Sequence, residues 1–321
     1  MMRAVAGVPL LLAVACGGDD AAPSGGAGGA GGTGGAGASA GSGGGGAAGG
    51  CGTSAPATGK RSLTVGGVER VFHLHLPSSY DSSQAWPLVF NFHGRTPSFL
   101  GEGALLQNQV SKLSQKGESS GFIVVNPQGL TNANAEQTWN GGTCCSDDDT
   151  RDDVGFVDAL LAALEAELCI DAKRVYATGL SNGGYMAHRL ACERAAQFAA
   201  IAPVAASNRL PSCSPSRPVP VLAFNGTEDT LVSYASALQS HEEWGARNGC
   251  AATSTETFQN GDSRCEGFDG CDGGSSVVQC TVQGGGHTWP GGTSLLPLGK
   301  TTQDLVASDM LWDFFTAHPL P

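Results

Sequence analysis

The chain is poor in basic residues: 17 Lys and Arg stand against 29 Asp and Glu, a formal charge of −12 over 321 residues. Without a basic patch, nucleic acids and anionic surfaces are excluded as partners. The sequence also lacks any Cys-x-x-Cys pair. Its adjacent Cys144 and Cys145 are poorly spaced as ligands, so a zinc framework is not expected and no metal is assigned. No internal repeat and no linker-like break interrupts residues 51–321. That stretch is long enough for one large domain with its own core.

What is present is unevenly spread, above all the 49 glycines. Residues 1–16, MMRAVAGVPLLLAVAC, read as an export signal: Arg3, an apolar run, then small residues. The run is too short to span a bilayer as a helix. Its end, Ala13-Val14-Ala15-Cys16, resembles the lipobox of bacterial lipoproteins. Lipidation of Cys16 is therefore expected, although the lipobox pattern prefers Leu at the place of Ala13. An ordinary signal peptide cut near Ala15 is the alternative. Residues 17–50, nearly all Gly, Ala and Ser, have nothing to bury and form a disordered tether. Setting Cys16 aside leaves an even number of the 11 cysteines, which in an exported chain implies disulfides. The expected location is extracellular or on the cell surface, with a membrane as partner only through the lipid anchor.

Within 51–321 the periodicity alternates between two types. Phe72, Leu74 and Leu76 share one face of a strand, with His73 and His75 on the other. Gly66-Gly67 marks the turn of an opening hairpin. The runs PLVFNF, FIVVN, RVYATG, FAAIAPV and PVLAFN read as buried parallel strands. In VGFVDALLAALEAEL the positions Val154, Val157, Leu161, Leu164 and Leu168 form one face of a helix, preceded by Asp152 and Asp153 at its capping end. LVASDMLWDFF gives a last helix. Strands alternating with helices predict an α/β fold with a mostly parallel central sheet and helices on both faces. Its chemistry belongs at the carboxyl ends of the strands.

Gly-x-Ser-x-Gly occurs three times, at 37–41, 117–121 and 179–183. Only the third, GLSNG, follows a strand and opens a helix, the context in which the motif forms a nucleophile elbow. Ser181 is thus the candidate nucleophile, with a structural strand-to-helix turn as the bland alternative. A serine needs a base oriented by an acid, in the chain order Ser, Asp or Glu, His. Of the histidines beyond it, His188 sits inside the new helix, His241 in a charged helical stretch and His318 in the tail. His287, in GGGHTWPGG after a strand, is the candidate base. Asp229 follows the strand PVLAFN and is the candidate acid, with Glu228 as its rival. Asp262, Asp269 and Asp272 fall among cysteines, in what looks like disulfide-tied loops. Backbone N–H groups of Asn182 and Arg95 are the candidate oxyanion donors, and His93 shapes the second donor's loop.

The stretches DDVGFVDALL, RVYATGLSNGGYMAHRLACE, FAAIAPVA, RPVPVLAFNGTEDTLVSY, EWGARNGC and GGGHTWPGG together resemble the secreted esterases known as poly(3-hydroxybutyrate) depolymerases and feruloyl or acetylxylan esterases. The resemblance covers nearly all of 51–321. It implies an α/β-hydrolase fold and a Ser-Asp-His triad falling on Ser181, Asp229 and His287. CGTSAPATGK and ELCIDAKRVYATG lean to the feruloyl branch. Two departures stand out: Asn225 replaces a histidine of the family's HGT-D pattern, and Arg95 stands where Cys or Gly is usual. Feruloyl-type members often carry an adjacent Cys-Cys. That resemblance, with the even count, predicts a Cys144–Cys145 bond as a wall of the acyl pocket. The alternative is that each pairs with a distant cysteine and staples the loop 130–152. Trp139 and Trp289 are candidates for stacking on the substrate, or else simple rim packing.

The expected activity is two-step acyl transfer on an ester, by a monomer, with no cofactor. A soluble plant-polysaccharide ester is preferred over a solid polyester, since no separate polymer-binding domain is visible after the catalytic region. A peptidase on the same fold, or an inactive binding module, are the competing readings. The acidic run SDDDTRDD lacks the glycine of an EF-hand loop and reads as a solvated loop rather than a calcium site.

Overall fold

The computed structural model describes residues 49–145 and 150–321. The expected signal, most of the tether, Cys16 and the centre of the acidic run lie outside the described residues.

Thirteen strands and six α-helices are described. The first strands are β1 (Gly59–Val65), β2 (Val68–His75), β3 (Trp86–Phe92), β4 (Thr96–Pro97), β5 (Ile123–Pro127), β6 (Leu130–Thr131) and β7 (Glu136–Thr138). They are followed by β8 (Ile170–Leu180), β9 (Ala200–Val204), β10 (Val221–Gly226), β11 (Ser254–Asn260), β12 (Ser263–Phe268) and β13 (Val277–Val282). The helices are α1 (Gly103–Ser111), α2 (Leu113–Ser120), α3 (Asp153–Glu167), α4 (Asn182–Glu193), α5 (Tyr234–Arg247) and α6 (Ala307–Ala317).

Ten strands form one sheet in the order β1-β2-β5-β3-β8-β9-β10-β13-β12-β11. The six from β5 to β13 are mutually parallel, and antiparallel strands flank them on both sides. The opening hairpin is as expected, with Gly66 and Gly67 both at positive φ in its turn. Of the expected disulfide-tied loops, Asp269 and Asp272 do lie in one, tied by Cys250–Cys271, but residues 254–268 around Asp262 differ. They are not loops but the antiparallel pair β11 and β12, fastened to the sheet by Cys265–Cys280. β11 is largely polar and exposed, and β12 buries only Ser263, Cys265 and Gly267, so neither gives an apolar strand signal. The helices α1 and α2 also escaped the sequence reading, for α2 is mostly polar.

Strand alternation assigns the two faces. On β3, Leu88, Phe90 and Phe92 point into a core shared with α3, α4 and α5 residues such as Leu160, Met186 and Trp244. Val89 points the other way, into a core with Leu113, Leu311 and Phe315. Each face is therefore closed by helices, and the strand ends are left to the loops. Asp152 caps α3 by accepting from the Gly155 N–H at 2.7 Å. Asp153, the first helical residue, instead pairs with buried Arg70 at 2.7 Å.

Candidate active site

The elbow is where β8 turns into α4. Ser181 has φ 56° and ψ −121°, a conformation an L residue holds only when its surroundings impose it. They do so through glycine. A Cβ on Gly183 would lie 2.2 Å from the Phe92 carbonyl oxygen, and one on Gly179 would lie 2.6 Å from the same atom. The elbow can press against the end of β3 only because both positions lack a side chain. The Ser181 N–H donates to the Val204 carbonyl at 2.8 Å, tying the turn to β9 as well.

His287 and Asp229 meet from separate strands. His287 Nδ1 is 2.8 Å from Asp229 Oδ2, and the side chains are only 4% and 1% exposed. Asp229 Oδ1 accepts from the N–H groups of Leu231 and Val232 at 2.8 and 2.9 Å. The acid is thus saturated on one oxygen and left a single use for the other. The two loops are clasped by the Glu228 N–H donating to Gly285 O at 2.9 Å and the Gly284 N–H to Thr227 Oγ1 at 2.8 Å. Glu228, the rival acid, is exposed. With Nδ1–H donated to Asp229, Nε2 is the His287 nitrogen that carries the lone pair.

Ser181 and His287 line one cavity of about 490 Å³. Arg95 lines it too, one residue beyond Gly94, where an added Cβ would come within 3.3 Å of the Ser181 Cβ. The Arg95 guanidinium reaches Glu136 at 3.7 Å. Asn182 is the first residue of α4, so its N–H has no acceptor within the helix. Its side chain is fully buried, accepting from the Trp139 N–H at 2.7 Å and donating to the Trp139 carbonyl at 2.9 Å.

His93 clamps the neighbouring loop. Its Nε2 accepts from the Gly129 N–H at 2.9 Å, so the ring proton is on Nδ1, which donates to Gly94 O at 2.6 Å. Burial pushes its pKa down to about 4, keeping the ring neutral for this task. His188 is likewise a buried acceptor, taking the Trp244 indole N–H at 3.0 Å, with its pKa lowered by burial to about 3.

The pocket candidates separate. Cys144 and Cys145 are bonded to each other, and the other described cysteines pair as 51–169, 192–213, 250–271 and 265–280. Cys145, at φ 75°, lines the cavity, while Cys144 packs behind it with Tyr185 and Val232. Trp289 lines the cavity but is 1% exposed and hydrogen-bonds Ser308. Trp139 does not line it. Its ring is wholly buried against Phe92 and Phe156, and its indole N–H donates to His93 O at 3.0 Å. Trp139 is a brace for the loops around Ser181, not a stacking surface. Sequence reading also missed Tyr185, Leu231 and Val232, and the apolar loop 293–298. Its leucines between Gly292 and Gly299 were the available signal.

Among the described residues no cluster of three or more His, Cys, Asp or Glu side chains could hold a metal ion. No helix there is long and apolar enough to cross a membrane.

An acid–base pair beside a strained serine, on a parallel sheet, defines a serine hydrolase of the α/β-hydrolase fold. Comparison with known proteins narrows the class. The model of the prolyl oligopeptidase family, Peptidase_S9, matches residues 109–213, which include Ser181 and stop short of Asp229. The chain is 30% identical over 279 residues to the "Probable feruloyl esterase C" of Aspergillus niger, covering 82% of this chain and 92% of that one. It is 30% identical over 265 residues to the feruloyl esterase B of Piromyces equi, of whose length it spans 44%. The solved acetyl xylan esterase from Aspergillus awamori shares the fold, with a TM-score of 0.55 at 15% identity over 80% of this chain and 99% of that one. The chain belongs to the feruloyl esterase family of serine carboxylic-ester hydrolases.

Proposed function

We propose that the protein hydrolyses carboxylic esters of plant polysaccharides, feruloyl or acetyl, through an acyl-enzyme on Ser181. The observation that carries this reading is the buried His287–Asp229 pair, at 2.8 Å, opening into the cavity that Ser181 lines. His287 Nε2 takes the hydroxyl proton as Ser181 Oγ attacks the ester carbonyl, and later returns it to the leaving alcohol. Asp229 holds the imidazole in the tautomer with Nδ1–H and stabilises the imidazolium. The N–H groups of Asn182 and Arg95 receive the oxyanion, each donor contributing on the order of 3 kcal/mol to the barrier reduction. Water then attacks the acyl-enzyme by the same route in reverse.

The acyl preference rests on the names of the relatives. Five disulfides fit an oxidising, extracellular setting. Lipidation at Cys16 would tether the enzyme to a membrane through residues 17–50. The test is activity on methyl ferulate, acetylated xylan and a poly(3-hydroxybutyrate) suspension side by side. Turnover of either soluble ester supports the reading. Clearing of the polyester alone reverses the preference.

A further inference from the structure

The cavity is larger and more aliphatic than an acetyl group needs. Its aliphatic lining, here called the wall, comprises Leu100, Leu106, Val110, Leu295, Leu296 and Leu298. All six are half-buried or exposed, and none is a buried member of either core beneath the sheet faces. Val110 also packs against the core that holds Leu113 and Leu311, whereas the five leucines belong to neither core and line the cavity. Exposed apolar side chains grouped on one wall mark a binding surface more often than accidental exposure.

That wall is built in advance. The loop 293–298 is fixed at one end by the Thr293 N–H donating to the Val110 carbonyl at 3.0 Å. At the other end the His287 N–H donates to the Leu298 carbonyl at 2.8 Å. The leucines are therefore strung between the end of α1 and the residue proposed as base. The chemistry of the wall is also selective. The lining has two large aromatics, Tyr185 and Trp289, and they are 2% and 1% exposed. Both rings are nearly covered, so most of the open apolar lining is aliphatic rather than aromatic. Leucine and valine ends suit a flexible alkyl chain, which needs contact area but no partner for a polar group.

We propose that this leucine-lined wall is a subsite for an extended aliphatic chain on the reacting ester. The protein would then hydrolyse medium-chain aliphatic esters better than acetyl esters. The inference rests on the Ser181 reading above and adds a substrate class to it. Each methylene that leaves water for the wall is worth about 0.8 kcal/mol, or roughly a fourfold gain in kcat/KM, until the cavity is full.

The test uses two ester series with the purified protein. One lengthens the acyl chain, from p-nitrophenyl acetate to butanoate, hexanoate and octanoate. The other lengthens the alcohol, from ethyl to octyl acetate. A rise of at least about tenfold along one series is expected, and the series that rises tells which side of the ester lies on the leucines. Flat or falling values in both overturn the proposal. The double variant Leu295→Ser, Leu296→Ser should cut the long-to-short ratio by about tenfold. Val68→Ser, an equally exposed apolar residue away from the cavity, should not change it. An unchanged ratio in the leucine variant would also overturn the proposal. Absence of Ser181-dependent turnover on every ester, acetate included, would instead refute the underlying hydrolase reading.

Discussion

The floor and the wall of the cavity are built on different rules. On the floor, each group is held from several directions. Asp229 accepts three hydrogen bonds, Asn182 is bound twice to Trp139, and Gly183 tolerates no Cβ. On the wall, Leu295 and Leu296 sit on a loop tied to the rest of the domain near its ends and within itself by the Leu298 N–H and Ser294 Oγ donating to Leu296 O, with their side chains half-buried or exposed. Chemistry requires positions fixed to fractions of an ångström, while binding of an alkyl chain requires only apolar area. Changes to the floor should therefore remove catalysis for every ester, and changes to the wall should redistribute it among esters.

The largest effect expected is from Ser181→Ala, a fall in kcat of about 10⁴-fold or more on all substrates, with an unshifted melting curve. Normal turnover by this variant would mean that the floor has been misplaced. Asp229→Asn should follow closely, about 10⁴-fold, because the amide favours the wrong tautomer of His287. Glu228→Gln, an exposed neighbour, should stay near wild type. If the Glu228 variant is the weaker enzyme, the acid has been misassigned.

Asn182→Ala should cost less, about 10-fold to 100-fold in kcat with KM little changed. It removes both bonds to Trp139 and loosens the turn that aims one oxyanion donor. A KM effect without a kcat effect would place Asn182 in substrate binding. The smallest effect concerns stability. His93, at about 4, and His188, at about 3, are held below the ordinary histidine value by burial. Their folded forms bind protons less readily than the unfolded chain. The stability they confer is complete above about pH 6.5 and is lost as pH falls toward 4. Melting curves between about pH 7 and pH 4.5 should show Tm falling steadily. A flat profile would mean that these rings titrate freely.

How much of this was readable in the sequence divides along the same line. The floor was legible because its residues are tied to backbone geometry. Gly179 and Gly183 flank Ser181 between a β-branched strand and an amphipathic helix, and GGGH follows another strand. The paired Cys144 and Cys145 were legible through the family resemblance. The wall was not, because a leucine in a loop carries no periodicity to say whether it faces a cavity, a core or water. Trp139 failed for a related reason. A loop tryptophan reads as a surface residue until the tertiary packing of Phe92, Phe156 and the His93 carbonyl around it is known. The pair β11 and β12 was hidden because β11 is exposed throughout and the buried face of β12 is only Ser263, Cys265 and Gly267, which give no apolar alternation.

Ser181 should be the activated hydroxyl among the described residues. Labelling the intact protein with a fluorophosphonate, followed by peptide mapping, reads this out. A single phosphonylated peptide containing Ser181 is expected, absent from Ser181→Ala and strongly reduced in Asp229→Asn. An adduct on Ser119 or Ser120 of the rival GESSG motif, or no adduct on a protein that still hydrolyses esters, would rule out Ser181 as the nucleophile.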